Sequence, residues 1–104
     1  MSAYGCYVTF TTQPGQRDTL VSHLLTAAAG TESVAECLLY IINTSTADPN
    51  SVWVTELWTS KEAHDASLTT EAAQALIKQV VPLLAKPPEQ INVLPVGGKG
   101  FSLP

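Results

Sequence analysis

The chain has 104 residues, of which 45% are apolar and 13% charged, and it carries a formal net charge of −4. That length suits one domain with its own core and excludes two comfortable ones, and the composition is that of a globular chain rather than a disordered tail. Its five basic residues, Arg17, Lys61, Lys78, Lys86 and Lys99, are scattered, so no basic stripe exists to neutralise phosphates and nucleic acid is excluded as a partner.

In chain order, the aromatic and β-branched run from Tyr4 to Thr12 predicts a first strand that ends at the Pro14-Gly15 turn signal. From Gln16 onward, Leu20, Val21, Leu24, Leu25 and Ala28 fall on one helical face and Arg17, Ser22, His23 and Thr26 on the other. This predicts an amphipathic helix with a solvated His23 and with Gly30 as its stop. Residues Glu36 to Thr44 and Ser51 to Thr59 read as two strands joined by the turn Ala47-Asp48-Pro49-Asn50, hence an antiparallel hairpin. Ser60 offers an N-cap to a short helix, KEAHDASL. Thr70 offers one to a longer helix whose Ala72, Ala73, Leu76, Ile77, Val80 and Val81 share a face, and Pro82 ends it. Residues Gln90 to Val96 predict a last strand at an edge or interface, since Pro95 breaks it and Gly97-Gly98 closes it. The domain is expected over 1–104, with its core at about 4–98 and a flexible tail over 99–104.

The order βαββαβ is the ferredoxin-like α+β arrangement with an antiparallel sheet. Helices cover one face of such a sheet. In the strand from Ser51, Val52, Val54 and Trp58 point one way and Trp53, Thr55 and Leu57 the other, so both faces need cover. Packing the second face on another copy predicts a homodimer, which the low charged fraction also favours.

No apolar run approaches the roughly 20 residues that span a bilayer, and the first residues lack the order of a signal peptide. The chain is therefore expected in the cytoplasm and off the membrane. Cys6 and Cys37 are 31 residues apart with no CxxC, so they predict two buried reduced thiols rather than a zinc or thioredoxin signature. Dinucleotide, Walker and nucleophile-elbow motifs are all missing, as is any metal-spaced His or carboxylate cluster. Gly97, Gly98 and Gly100 follow a strand with no helix after them, so GGKG reads as tail rather than phosphate loop.

Pro14-Gly15, the junction ELWTSKEAHDASL at 56–68 and the PVGG at 95–98 stand in an order and spacing that resemble the antibiotic biosynthesis monooxygenase family. The resemblance covers about Tyr4 to Gly98. It implies a dimeric α+β barrel with a pocket between helices and sheet in each subunit. Its implied activities divide between cofactor-free oxygenation of anthrones and quinols, heme degradation, and ligand handling without catalysis. The heme-degrading branch needs Asn, Trp and His where this chain has Val8, Ser67 and Ile77, and an aliphatic side chain cannot ligate iron. Many quinol-type members carry a His where Ser67 stands, and His64 lies one helical turn earlier.

Cofactor-free oxygenation needs a dry pocket and a group that takes a phenolic proton. The resemblance therefore implies a small aromatic phenol, quinol or polyketide-like substrate together with dioxygen, and no cofactor or metal. His64 or Glu56 would be the base, Ser67 a hydrogen-bond donor, and Trp58, Tyr40 and Tyr7 the pocket wall. Each has a plainer role: Trp58 as a core or interface aromatic, Glu56 as partner of an interface cation, His64 as a surface cap, and Tyr4, Tyr7 and Tyr40 as ordinary strand aromatics. A ligand-binding dimer without turnover, or an isomerase or decarboxylase with an acid and base in one cavity, uses the same fold.

Overall fold

In the computed structural model, which describes residues 2–101, strand β1 (Tyr4–Thr11) leads into helix α1 (Arg17–Gly30). Strands β2 (Cys37–Thr44) and β3 (Ser51–Trp58) follow, then helices α2 (Lys61–Ser67) and α3 (Glu71–Val80), a 3₁₀ turn (Val81–Leu83) and strand β4 (Glu89–Val93). Of the tail expected to be flexible, residues 102–104 lie outside the described residues. No helix among the described residues is long and apolar enough to cross a membrane.

The local signals work as the chain suggests. Gly15 sits at φ 81°, the left-handed backbone its turn requires. The hydroxyl of Ser60 accepts from the Ala63 amide at 3.1 Å, and that of Thr70 from the Ala73 amide at 3.1 Å, so both short helices start on side-chain caps. Gly30 does not terminate α1 by a left-handed turn. The stop is Thr31, which stays right-handed and donates its hydroxyl to the Ala28 carbonyl at 2.7 Å. β4 ends two residues before Pro95, because the proline lacks the amide a ladder needs.

The sheet order is β2-β3-β1-β4 with every neighbouring pair antiparallel, so the fold is ferredoxin-like α+β. Side chains of even number on β1 and β3 face the helices. There Leu20 and Leu24 of α1, Val52 and Val54 of β3, and Val80 of α3 make the main buried cluster. The register slips between Cys37 and Leu39, and this bulge turns Cys37 back to the helix side, where it packs against Tyr4, Cys6 and Trp58. Cys37 is only half-buried there, unlike Cys6, and both thiols are free. Two predicted helix faces prove narrower than the pattern. Leu25 of α1 and Ile77 and Val81 after it are exposed, while Ala73, Leu76 and Val80 alone turn α3 inward. His23 is half-buried rather than fully solvated.

The other sheet face carries no helix. Its rows read Asn43–Trp53–Thr9–Glu89, Ile41–Thr55–Tyr7–Ile91 and Leu39–Leu57–Gly5–Val93. Trp53, Ile41, Tyr7, Ile91, Leu39 and Val93 are all exposed. Gly5 leaves room that Val93 occupies, since a Cβ there would lie 2.9 Å from Val93 Cγ2.

Candidate active site

Strand alternation places Glu56 and Trp58 on the helix side of β3, and the β1–β3 register sets Cys6 opposite Glu56 and Tyr4 opposite Trp58. The loop after β3 turns at Ser60, and α2 then lays His64 over this end of the sheet, with its backbone amide bonded to the Ser60 carbonyl at 3.3 Å. The His64 ring stands 4.9 Å from that of Tyr4 and 5.7 Å from that of Trp58, edge-on to the indole.

Glu56 is the centre of the group. Its side chain is 9% exposed, and its Oε1 accepts the Trp58 indole N–H at 3.0 Å and lies 3.7 Å from His64 Nε2. The other imidazole nitrogen, Nδ1, lies 3.0 Å from Asp65 Oδ1. An ionised carboxylate only accepts, so Nδ1 carries a proton and Nε2 is the nitrogen aimed at Glu56. Asp65 is also bound by Lys61 at 2.7 Å. That ammonium first, and His64 second, hold the Asp65 carboxyl below its usual range.

Cys6, 1% exposed, completes the cluster. Burial, and then the charge of Glu56, push its thiol up to about 12. The donor atoms of Cys6, Glu56 and His64 all lie within 4.8 Å of one another, so these three residues could hold a metal ion. Tyr4 is fixed by its hydroxyl, which donates to Asn92 Oδ1 at 2.8 Å and accepts from Gln90 Nε2 at 3.0 Å. Burial, first of all, raises its phenol above the ordinary tyrosine range, and coupling to the neighbouring Cys6 thiol adds to the effect.

Of the residues singled out in the sequence, Glu56, Trp58 and His64 meet directly. Tyr40 is the register partner of Glu56 on β2, and burial, then Glu56, push its phenol up. Ser67 lies one turn beyond His64, but its hydroxyl donates to the His64 carbonyl at 2.6 Å and so caps its own helix. Tyr7 does not belong with the others. Odd-numbered positions of β1 face away from the helices, and Tyr7 is 43% exposed on the open sheet face. The surface role considered for His64 is also wrong, since the residue is 6% exposed. Trp58, at 1%, is a packed side chain rather than an open platform. Cys6, Tyr4 and Asp65 are the partners that sequence spacing did not bring forward; only the parity of Tyr4, Cys6 and Val8 along β1 hinted at a shared face.

Two grooves flank the cluster. One, of about 420 Å³, is lined by Ala3, Tyr4, Ser60 and Lys61 among others. The second, of about 470 Å³, runs between the end of α1 and β2 and is lined by Leu25, Ala28, Ala29, Cys37, Leu39 and Tyr40 among others. Tyr4 lines the first groove and Tyr40 the second, and each is a register neighbour of the cluster's strand β3.

Residues 3–79 match the family described as antibiotic biosynthesis monooxygenase. No curated protein sequence matches the chain. Among solved structures, it resembles a Chloroflexus aurantiacus protein assigned to antibiotic biosynthesis monooxygenases, at 38% identity over 97% of this chain and 100% of that one, with a TM-score of 0.84. A Caulobacter crescentus protein with the same assignment is 23% identical over 92% of each chain, at a TM-score of 0.86. A Mycobacterium tuberculosis protein is 20% identical over 94% of this chain and 99% of that one, at 0.84. These last two likenesses are of fold alone.

Proposed function

Because the chain belongs to the antibiotic biosynthesis monooxygenase family, we propose that it is a cofactor-independent monooxygenase of a small aromatic phenol, quinol or polyketide-like compound, working as a homodimer. The observation that carries this reading is the buried pair of His64 and Glu56, 3.7 Å apart and enclosed by Trp58 and Tyr4. His64 Nε2 is placed to take a proton, and the Glu56 carboxylate stabilises the imidazolium that results. The substrate anion then passes one electron to dioxygen, recombination of the two radicals gives a peroxide anion, and the His64 imidazolium returns its proton to make the hydroperoxide. Loss of water leaves a carbonyl, so one oxygen atom enters the product and the other leaves as water.

The groove between α1 and β2, with Leu25, Leu39 and Tyr40 among its lining residues, supplies an apolar wall for an aromatic ring, and Tyr40 is the register partner of Glu56. The uncovered sheet face, with its exposed Tyr7, Ile41, Trp53 and Ile91, supports packing on a second copy.

The test is dioxygen uptake by purified, metal-stripped protein against a panel of quinols and anthrones, with His64→Ala and Glu56→Gln beside it. Uptake that survives chelation and falls in both variants is expected; no uptake across the panel would overturn the reading. The burial of His64 and the use of the Ser67 hydroxyl within α2 favour a second reading, a binding module without turnover. Its signature is aromatic ligand binding with no dioxygen consumed.

A further inference from the structure

We propose that Cys6, Glu56 and His64 form a binding site for one divalent cation of the zinc class, and that occupancy of this site withholds His64 and Glu56 from proton transfer. The three side chains come from β1, β3 and α2, each is at least nine-tenths buried, and their donor atoms lie within 4.8 Å of one another. A thiolate, an imidazole and a carboxylate are the donor types that zinc accepts, and three protein ligands leave its fourth position to water.

Charge and orientation support the site independently of that spacing. Among the described residues, the ion pairs of lysine are Lys61 with Asp65 and Lys86 with Glu89, and neither involves Glu56. A buried carboxylate therefore has hydrogen-bond donors but no fixed cation beside it. A divalent ion balanced by the Glu56 carboxylate and the Cys6 thiolate gives a neutral buried group, which is what a low-dielectric interior favours. Asp65 holds Nδ1 of His64 at 3.0 Å, so Nε2, 3.7 Å from Glu56 Oε1, is the nitrogen left with a lone pair for a metal. This is the outer carboxylate that metal-bound histidines commonly carry. On binding, the metal–sulfur bond replaces the thiol S–H bond and its proton leaves to solvent; no electron is transferred.

The consequence for turnover rests on the proposed function, whereas the site does not. Cobalt(II), titrated into the purified chain as a spectroscopic stand-in for zinc, is expected to bind one equivalent. It should give a thiolate-to-cobalt charge-transfer band and intense visible bands of four-coordinate geometry. The band should persist in Cys37→Ser and vanish in Cys6→Ser. Because Cys6 is buried, Asp65→Asn at a half-exposed position serves as a second variant, with affinity about 10- to 100-fold weaker and an unchanged circular dichroism spectrum. No charge-transfer band in the unaltered chain, a band lost with Cys37 instead, or full affinity in Asp65→Asn would each overturn the site. If the dioxygen assay shows turnover, zinc should lower uptake and chelation restore it. If it shows none, the cobalt spectra still decide whether the site exists.

Discussion

The indole N–H of Trp58 donates to Glu56 Oε1 at 3.0 Å across two positions of the same strand, and this one bond ties a 1%-exposed aromatic to a nearly buried carboxylate. Replacing Trp58 by Phe keeps a ring but removes the donor, leaving Glu56 short of a partner. The expected loss is about 1–3 kcal/mol, the cost of an unsatisfied buried group. Trp58→Ala should lose about 3–5 kcal/mol, because a cavity is added. Urea unfolding of the two variants separates donor from volume; a Trp58→Phe chain as stable as the unaltered one would show that the bond contributes nothing of its own.

His64→Ala empties a buried ring site between Tyr4 and Trp58 and should lower the melting temperature, Glu56→Gln should lower it less, and both should lower kcat for a quinol or anthrone by about 10²–10⁴-fold, the usual span for lost proton-transfer catalysis. Steady-state dioxygen consumption reads this. A fall in affinity alone, with kcat intact, would reassign the pair to substrate positioning.

The cap of α2 reaches the site through geometry. Ser60→Ala removes the acceptor for the Ala63 amide and should cost about 0.5–2 kcal/mol. Because α2 carries His64, the substitution should also broaden or shift the His64 ring resonances. Thr70→Ala, the equivalent change on α3, should have a comparable effect on stability without that shift. Thermal melts and proton spectra distinguish the two.

Ile41 and Tyr7 lie in the same row of the uncovered sheet face. A carboxylate at Ile41 would be buried unpaired if a second copy covers that row, so Ile41→Asp should convert a dimer into monomers at micromolar concentration. Sedimentation equilibrium measures this directly, and an unaltered chain that sediments as a monomer would end the dimer proposal.

At the β2–β3 turn, Asp48 accepts from the Asn50 amide at 2.9 Å and the Ser51 hydroxyl at 2.8 Å, which hold its carboxyl below the usual range. A depressed folded-state pKa adds stability that is present above the unfolded value of 3.8 and is lost as pH falls through the folded value. Asp48→Asn should therefore be the less stable chain at neutral pH and converge with the unaltered chain in acid. Parallel melts over that range test the sign.

Much of this protein is written locally. β-branched alternation marks β1 and β3, a 3.6-residue period marks the helices, Ser60 and Thr70 announce their own caps, and Pro95 ends β4 near where its missing amide requires. Parity along β3 also puts Glu56 and Trp58 on one face before any partner is known. The site needed more than parity. Which strand lies beside β3, and in what register, is set by burial summed over residues distant in sequence, and only that pairing brings Cys6 opposite Glu56. The landing of α2 over the same end of the sheet then buries His64 between Tyr4 and Trp58. Tyr7 shows the same limit from the other side. Its alternation with Cys6 was legible, but the assignment of one face to the helices and the other to open surface came from the packing of α1, α2 and α3, a non-local choice that no single strand encodes.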